Sequence, residues 1–170
     1  MGLEDLPPRE ERATPHASLI VEPGELPGID TGIWMGGAHS QMGKPVSPAR
    51  LSTGWLLDLA GEVPEDLRRL AQREESVVFA DIDAHPAAWD RLTGIASEWA
   101  EHLRAGHMDS RPSDVFVVCQ YGMNRSGLGT GLLLRALGID AEEAVRRIML
   151  ARPGALSNAT YRRLVYEWRR

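Results

Sequence analysis

Cysteine is nearly absent from this sequence of 170 residues, in which Cys119 is the only one. A single cysteine excludes an intramolecular disulfide and any metal site that needs several thiolates. Free cysteine is the usual state in a reducing compartment, so we predict a cytoplasmic location. A role for Cys119 therefore has to come from its own surroundings and not from a partner cysteine.

Lysine is nearly absent as well, and the sequence has neither long apolar runs nor excess positive charge. Lys44 is the only lysine among 19 basic residues, a bias toward arginine that suggests a GC-rich bacterial genome. No stretch is long and apolar enough to span a bilayer, and the acidic first residues lack the apolar core of a signal peptide. The net charge of −5 argues against a general nucleic-acid binder. We expect neither a membrane nor a nucleic acid as partner.

Short apolar runs alternate with helical patterns along the chain. This alternation predicts an α/β domain with a mostly parallel central sheet flanked by helices. The predicted strands are residues 19–21, 33–35, 55–60, 77–83 and 115–118. The predicted helices begin at Pro48 and then cover residues 64–75, 86–105, 126–137, 141–151 and 158–170. We interpret residues 1–28 as a mobile N-terminal arm with an edge strand, and residues 29–170 as the main domain.

The segment from Val115 to Gly127 is the most informative part of the sequence. A buried strand ends at Cys119, and Arg125 follows six residues later, directly before a predicted helix. A loop of this length can curl so that its N–H groups and the positive end of the helix face a bound anion. These groups favour the thiolate of Cys119, which is the nucleophilic form of cysteine.

The types of residue in this loop fit a phosphoryl group. Arg125 can bind two oxygens of a phosphoryl group with its planar guanidinium. Gly122 fits a position where the backbone needs a positive φ, and Ser126 can donate a hydrogen bond to the thiolate. The substrate-binding residues that we predict are Gln120, Tyr121, Gly122, Met123, Asn124 and Arg125.

A simpler interpretation of this loop exists. A single cysteine after a run of valines is usually just a small buried apolar residue. The combination of Cys119 with Gly122, Arg125 and Ser126 in one strand-to-helix loop favours a chemical role. Tyr121 could stack on an aryl substrate or pack outward, and the sequence favours neither.

The segment resembles the C-x-x-G-x-x-R-S signature loop of the dual-specificity branch of the cysteine-dependent protein tyrosine phosphatases. Weaker matches occur in the same order at residues 33–36, 55–62 and 152–158, so the resemblance covers roughly residues 28 to 170. It implies a dual-specificity phosphatase-like fold, with residues 29–170 as the catalytic domain. It also implies hydrolysis of phosphomonoesters through a phosphocysteine at Cys119, with no metal and no other cofactor.

The resemblance further implies an aspartic acid that protonates the leaving group from a loop well before the cysteine. Asp81 and Asp83 both qualify, and their spacing puts them on the same side of an extended segment. We favour Asp83 because it is closer to the predicted strand end and because Pro86 then opens a helix. Asp81 is the alternative acid.

The sequence departs from the family at Val118, because the family usually has a histidine directly before the cysteine. We predict a protein phosphatase for phosphotyrosine, which could also accept phosphoserine or phosphothreonine. Val118 motivates the alternative of a weak or inactive phospho-binding module. Phosphoinositide or RNA 5′-phosphate substrates rank lower because Arg125 is the only cation in the loop. Rhodanese-like sulfur transfer is disfavoured by the Arg-Ser-Gly sequence at residues 125–127.

Overall fold

The apolar runs of the sequence form one six-stranded sheet in the part of the chain that the structure describes. This structure is a computed structural model that describes residues 14–105 and 111–170. Its strands are β1 (His16–Val21), β2 (Gly32–Gly37), β3 (Lys44–Pro45), β4 (Gly54–Asp58), β5 (Arg73–Ser76) and β6 (Asp114–Cys119). Across the sheet the order is β3-β1-β2-β6-β4-β5, so β6 lies in the interior of the sheet.

Most neighbouring strands are parallel, as the sequence predicts. β6 pairs in parallel with β2 on one side and with β4 on the other, and β4 pairs in parallel with β5. β1 is antiparallel to both β2 and β3, which makes the sheet mixed. The predicted α/β fold with a mostly parallel central sheet is therefore confirmed.

The helices of the described residues lie on both faces of the sheet. They are α1 (Pro48–Ser52), α2 (Glu65–Arg68), α3 (Trp89–Ala105), α4 (Arg125–Ala136), α5 (Ala141–Ala151) and α6 (Ala159–Glu167). Side-chain caps fix three of their starts, since Ser47, Asp140 and Asn158 each accept a hydrogen bond from a backbone N–H of the first turn.

The strand β6 contributes to two separate cores because its side chains alternate between the faces of the sheet. Val115, Val117 and Cys119 face the larger core, which helices α3 to α6 cover. Phe116 and Val118 face the smaller core, which contains residues of β2, α1 and β4. Cys119 therefore lies at the end of a strand that is buried along its whole length.

The predictions for residues 64–75 and 77–83 are wrong. The predicted helix is only the short α2, and the predicted strand forms earlier in the chain, as β5. Edge strands often carry charged side chains, and those of β5 have partners nearby. Arg73 pairs with Glu98 at 2.5 Å, and its guanidinium lies 5.1 Å from the ring centre of Trp55. These contacts allow a strand whose sequence shows no apolar run.

Residues 77–88 form an irregular segment between β5 and α3. Val77 and Phe79 are buried in the larger core, while Val78 and Ala80 are exposed. This alternation of buried and exposed residues resembles that of a strand, but residues 77–88 lie outside the strands of the sheet. The buried side chains of Val77 and Phe79 hold an irregular loop against the core. Both candidate acids lie on this segment.

The predicted N-terminal arm falls partly on residues 1–13, which lie outside the described residues. The expected edge strand is part of β1, and the short β3 pairs with its first two residues on the outer side. The division of the chain at residue 28 stays a prediction. Within residues 14–105 and 111–170, no helix is long and apolar enough to cross a membrane.

Candidate active site

The candidate site lies where the parallel strands end. β6 ends at Cys119 and α4 begins at Arg125, so the residues between them form a tight strand-to-helix turn that we call the cysteine loop (residues 119–125). In α/β sheets, ligands bind outside the carboxyl ends of the strands. The cysteine loop lies at this edge, between the ends of β2 and β4.

The sulfur of Cys119 is buried and has two hydrogen-bonding neighbours. Its side chain is almost inaccessible, and Sγ lies 3.2 Å from Oγ of Ser126. The backbone N–H of Gly122 donates to the same sulfur at 3.3 Å. Both neighbours can donate to a thiolate, so the structure brings together Cys119, Gly122 and Ser126 as the sequence predicts.

Two glycines allow the cysteine loop to lie against the end of β2. Gly122 has a φ of +74°, and a Cβ atom there would lie 2.6 Å from the carbonyl carbon of Gly36. A Cβ atom on Gly37 would lie 2.4 Å from the carbonyl carbon of Tyr121. Neither position has room for a side chain, so the close approach of strand and loop requires glycine at both.

Arg125 is the first residue of α4, and two of its nitrogens already have partners. Nη1 donates to the carbonyl oxygen of Phe79 at 3.0 Å, and Nη2 is 3.5 Å from Oε1 of Gln120. Its Nε is buried and has no hydrogen-bond partner among the described residues. Buried donors without a partner are uncommon in proteins, so this unpaired N–H is a notable feature of the loop.

The remaining loop side chains point in different directions. Tyr121 is 60% exposed, and its hydroxyl accepts a hydrogen bond from Nε2 of Gln120 at 3.3 Å. Met123 packs against the larger core instead. Val118, where the family has histidine, is buried among the apolar side chains of the smaller core. A polar imidazole in that cluster would need a hydrogen-bond partner.

The two candidate acids have different contacts. Oδ2 of Asp81 accepts a hydrogen bond from the amide of Asn124 at 3.1 Å, and Oδ1 accepts one from the amide of Asn158 at 3.1 Å. Oδ1 of Asp83 accepts a hydrogen bond from the hydroxyl of Thr160 at 2.5 Å. The carboxyl group of Asp81 therefore contacts the cysteine loop itself, whereas the described contact of Asp83 is with α6.

Sequence reasoning gave no role to Arg152, which lies directly beneath the cysteine loop. This arginine is fully buried, and all five of its N–H donors can be accounted for. Nε donates to the carbonyl oxygen of Gly122 at 2.7 Å, and Nη2 lies 3.3 Å from that of Tyr121. The other acceptors are Oγ of Ser18, Oγ of Ser40 and the carbonyl oxygen of Met42.

Arg152 orients the peptide group that contacts the sulfur. The carbonyl of Tyr121 and the N–H of Gly122 belong to one planar trans peptide, so they point in opposite directions. Arg152 binds the carbonyl, and the N–H consequently faces Cys119. Burial lowers the pKa of Arg152 below its ordinary value, while the charge of Cys119 acts in the opposite direction. The only sequence signal for this residue was its place in the family-like segment 152–158.

Among the described residues, no group of three or more His, Cys, Asp or Glu side chains could hold a metal ion. Apart from the carboxyl group of Asp81, the polar side-chain groups in contact with the cysteine loop are amides, hydroxyls and guanidinium groups. Such donors bind anions.

The fold matches solved structures of cysteine-dependent phosphatases. Kinase associated phosphatase, in a form whose catalytic-site cysteine is substituted by serine, matches with a TM-score of 0.64 and 17% identity, covering 92% of this chain and 95% of that chain. Human DUSP28 matches with a TM-score of 0.58 and 16% identity, covering 88% of this chain and 89% of that chain. PTPMT1, solved in complex with PI(5)P, matches with a TM-score of 0.52 and 11% identity, covering 79% of this chain and 88% of that chain.

These likenesses confirm the resemblance at the level of the fold. The protein has the fold of the dual-specificity branch of the cysteine-dependent protein tyrosine phosphatases. No protein-family model matches the sequence, and no curated protein sequence matches it either.

We predict that Arg152→Lys destabilises the protein. Lysine keeps the charge but can donate at most three hydrogen bonds, so buried acceptors around the cysteine loop lose their partner. The free energy of unfolding in urea should fall by about 1–3 kcal/mol for each buried acceptor left unpaired. Arg163→Lys is the matched control, because the Arg163 side chain is 62% exposed and should tolerate the change. Equal stability of the two variants would contradict the role of Arg152.

Proposed function

We propose that the protein is a metal-independent phosphomonoester hydrolase that works through a phosphocysteine on Cys119. The observation that carries the proposal is the hydrogen-bonded sulfur at the base of the cysteine loop. Sγ of Cys119 has the Gly122 N–H and the Ser126 hydroxyl as neighbours. Arg125, at the other end of the loop, keeps a buried N–H without a partner among the described residues.

The first step is transfer of the phosphoryl group to sulfur. The Cys119 thiolate attacks phosphorus, an S–P bond forms, and the bond from phosphorus to the ester oxygen breaks. Arg125 and the loop N–H groups bind the phosphoryl oxygens. An aspartic acid gives its proton to the departing oxygen, so the leaving group departs as a neutral alcohol or phenol.

The second step releases phosphate. The same aspartate, now ionised, takes a proton from a water molecule while that water attacks phosphorus. The S–P bond breaks, inorganic phosphate leaves, and the thiolate returns. The Ser126 hydroxyl, 3.2 Å from the sulfur, stabilises the departing thiolate by hydrogen bonding.

The contacts favour Asp81 over Asp83 as the acid, although the sequence pattern favours Asp83. A general acid has to reach the leaving oxygen of a phosphoryl group that is bound in the cysteine loop. The carboxyl group of Asp81 lies against Asn124 of that loop, and Arg125 binds the nearby carbonyl of Phe79. Both contacts hold Asp81 beside the loop.

The surroundings of the site favour phosphotyrosine as substrate. Tyr121, in the cysteine loop, and Ile82, next to Asp81, have exposed fractions of 60% and 58%, and they offer apolar surface to an aromatic ring. Asp81 and Asp83 add negative charge nearby, and Arg125 is the only cation in the cysteine loop. This charge distribution disfavours the more highly charged phosphoinositides. PTPMT1, which has a similar fold, was solved with PI(5)P, so a phosphoinositide should be assayed beside phosphotyrosine as a comparison substrate.

A phospho-binding module without turnover is the second candidate function. Val118 favours it, because the family histidine that helps to orient the loop is missing and an apolar core takes its place. Arg152 supports the active alternative, since two of its five hydrogen bonds go to carbonyl oxygens of the cysteine loop and orient the loop by another route. The bacterial source and the cytoplasmic location still rest on the arginine bias and the single cysteine, and both stay predictions.

The proposal predicts that Cys119 is essential for turnover. The purified protein should hydrolyse para-nitrophenyl phosphate with a chelator present. Cys119→Ser should lower kcat by at least about 10³-fold, because serine is a much weaker nucleophile than a thiolate. Cys119→Ser should still bind a phosphotyrosine peptide. Turnover that survives in this variant would contradict the mechanism, and a folded parent protein that binds phosphopeptide without turnover would support the binding module.

The acid assignment predicts unequal effects of two matched substitutions. Asp81→Asn should lower kcat for phenyl phosphate by about 10²-fold, the usual contribution of a general acid. Asp83→Asn should have a much smaller effect, and Asp90→Asn, on the exposed start of α3, is the control for lost charge. The measurement is kcat for phenyl phosphate, determined by steady-state kinetics for the parent protein and the three variants. A larger loss in Asp83→Asn than in Asp81→Asn would return the role to Asp83.

A further inference from the structure

The irregular segment 77–88 is fastened to the cysteine loop and to α6 by side-chain hydrogen bonds. Arg125 donates to the carbonyl oxygen of Phe79 at 3.0 Å, and the Tyr161 hydroxyl donates to that of Ala80 at 2.6 Å. Burial raises the pKa of Tyr161, so its phenol stays a hydrogen-bond donor at neutral pH. The two residues directly before Asp81 are therefore held in place by hydrogen bonds from the cysteine loop and from α6.

The carboxyl group of Asp81 itself lies between two side-chain amides, those of Asn124 and Asn158, which we call the amide clasp. Each amide donates to a different carboxyl oxygen at 3.1 Å. The Asn158 amide also donates to the carbonyl oxygen of Ile82 at 2.9 Å. The clasp thus fixes both the side chain of Asp81 and the backbone next to it.

The two asparagines also hold each other. Oδ1 of Asn124 accepts a hydrogen bond from the backbone N–H of Asn158 at 2.9 Å and one from the Ser157 hydroxyl at 3.3 Å. Oδ1 of Asn158 caps α6 by accepting from the backbone N–H of Tyr161 at 3.2 Å. Because each oxygen is engaged, each amide nitrogen is directed toward Asp81, and neither amide can flip without losing these bonds.

We propose that Asn124 and Asn158 are positioning residues that hold Asp81 for proton transfer to and from the phosphoryl group. This inference rests on the proposed phosphatase function and on Asp81 as the acid. It assigns a task to Asn124, which lies within the cysteine loop, and to Asn158, which lies outside it.

The clasp is compatible with proton transfer by Asp81. Each carboxyl oxygen can take part in two hydrogen bonds, and the clasp uses one position on each oxygen. The second position stays available for the proton that moves to the leaving group. Fixing the carboxyl group matters because a displacement of about 1 Å can lower the rate by about 10²-fold.

The dependence of the rate on the leaving group separates positioning from a structural role. Para-nitrophenolate leaves without much help from an acid, whereas phenolate needs protonation. We therefore define a ratio, kcat/KM for para-nitrophenyl phosphate divided by kcat/KM for phenyl phosphate. A variant that is merely less folded loses activity toward both substrates equally, so its ratio does not change.

The test uses two clasp variants and one matched control. Asn124→Ala removes one amide, and Asn158→Ser removes the other while keeping a side chain that caps helices well. Thr160→Val is the control, because it removes the hydrogen bond from α6 to Asp83 and leaves the clasp intact. We expect the ratio to rise about tenfold in each clasp variant, as weakened general-acid catalysis requires, and to stay at the parent value in the control.

A double-substitution cycle completes the experiment. If the clasp acts through Asp81, adding Asn124→Ala to Asp81→Asn should not raise the ratio further. An active parent whose ratio is unchanged in both clasp variants would overturn the inference and leave the proposed function standing. A rise in the control alone would also overturn it, because Asp83 would then be the acid. A folded parent that hydrolyses neither substrate would overturn the inference and the proposed function together.

Discussion

The peptide group between Tyr121 and Gly122 imposes the constraint on which the rest of the site depends. Its N–H must face the sulfur of Cys119, so its carbonyl must face the opposite way and find a donor in the interior. The buried guanidinium of Arg152 is that donor, and it also binds the next carbonyl. Gly37 must lack a side chain for the loop to come this close to β2. The position of the cysteine loop thus depends both on its close approach to β2 and on its hydrogen bonds to Arg152.

The second half of the site has a different physical origin. The segment that carries Asp81 is not part of any regular element, and its position comes from side chains of the cysteine loop and of α6. A loop held in this way can place a carboxyl group at a site that neither a strand nor a helix would reach. It also means that the two parts of the candidate site are joined through Asn124, a residue of the cysteine loop.

What could be predicted from the sequence was local. The valine run, the spacing from Cys119 to Arg125 and the mid-loop glycine all lie within one short segment, and they predict the strand, the turn and the helix correctly. β5 was missed because an edge strand with paired charges shows no apolar alternation. Arg152 was missed because arginines are usually solvated. The choice between Asp81 and Asp83 depends on their contacts with Asn124 and Thr160, which come from distant parts of the chain.

The central claim is that the phosphoryl group is transferred to sulfur, and one measurement tests it most directly. The protein is mixed with an excess of para-nitrophenyl phosphate, quenched within the first turnovers, digested and examined by mass spectrometry for the residue that carries phosphate. The account predicts a single phosphorylated residue, Cys119, in the peptide that spans the cysteine loop. Turnover accompanied by phosphate on another residue, or by no phosphoenzyme under conditions in which thiophosphates survive, would contradict it.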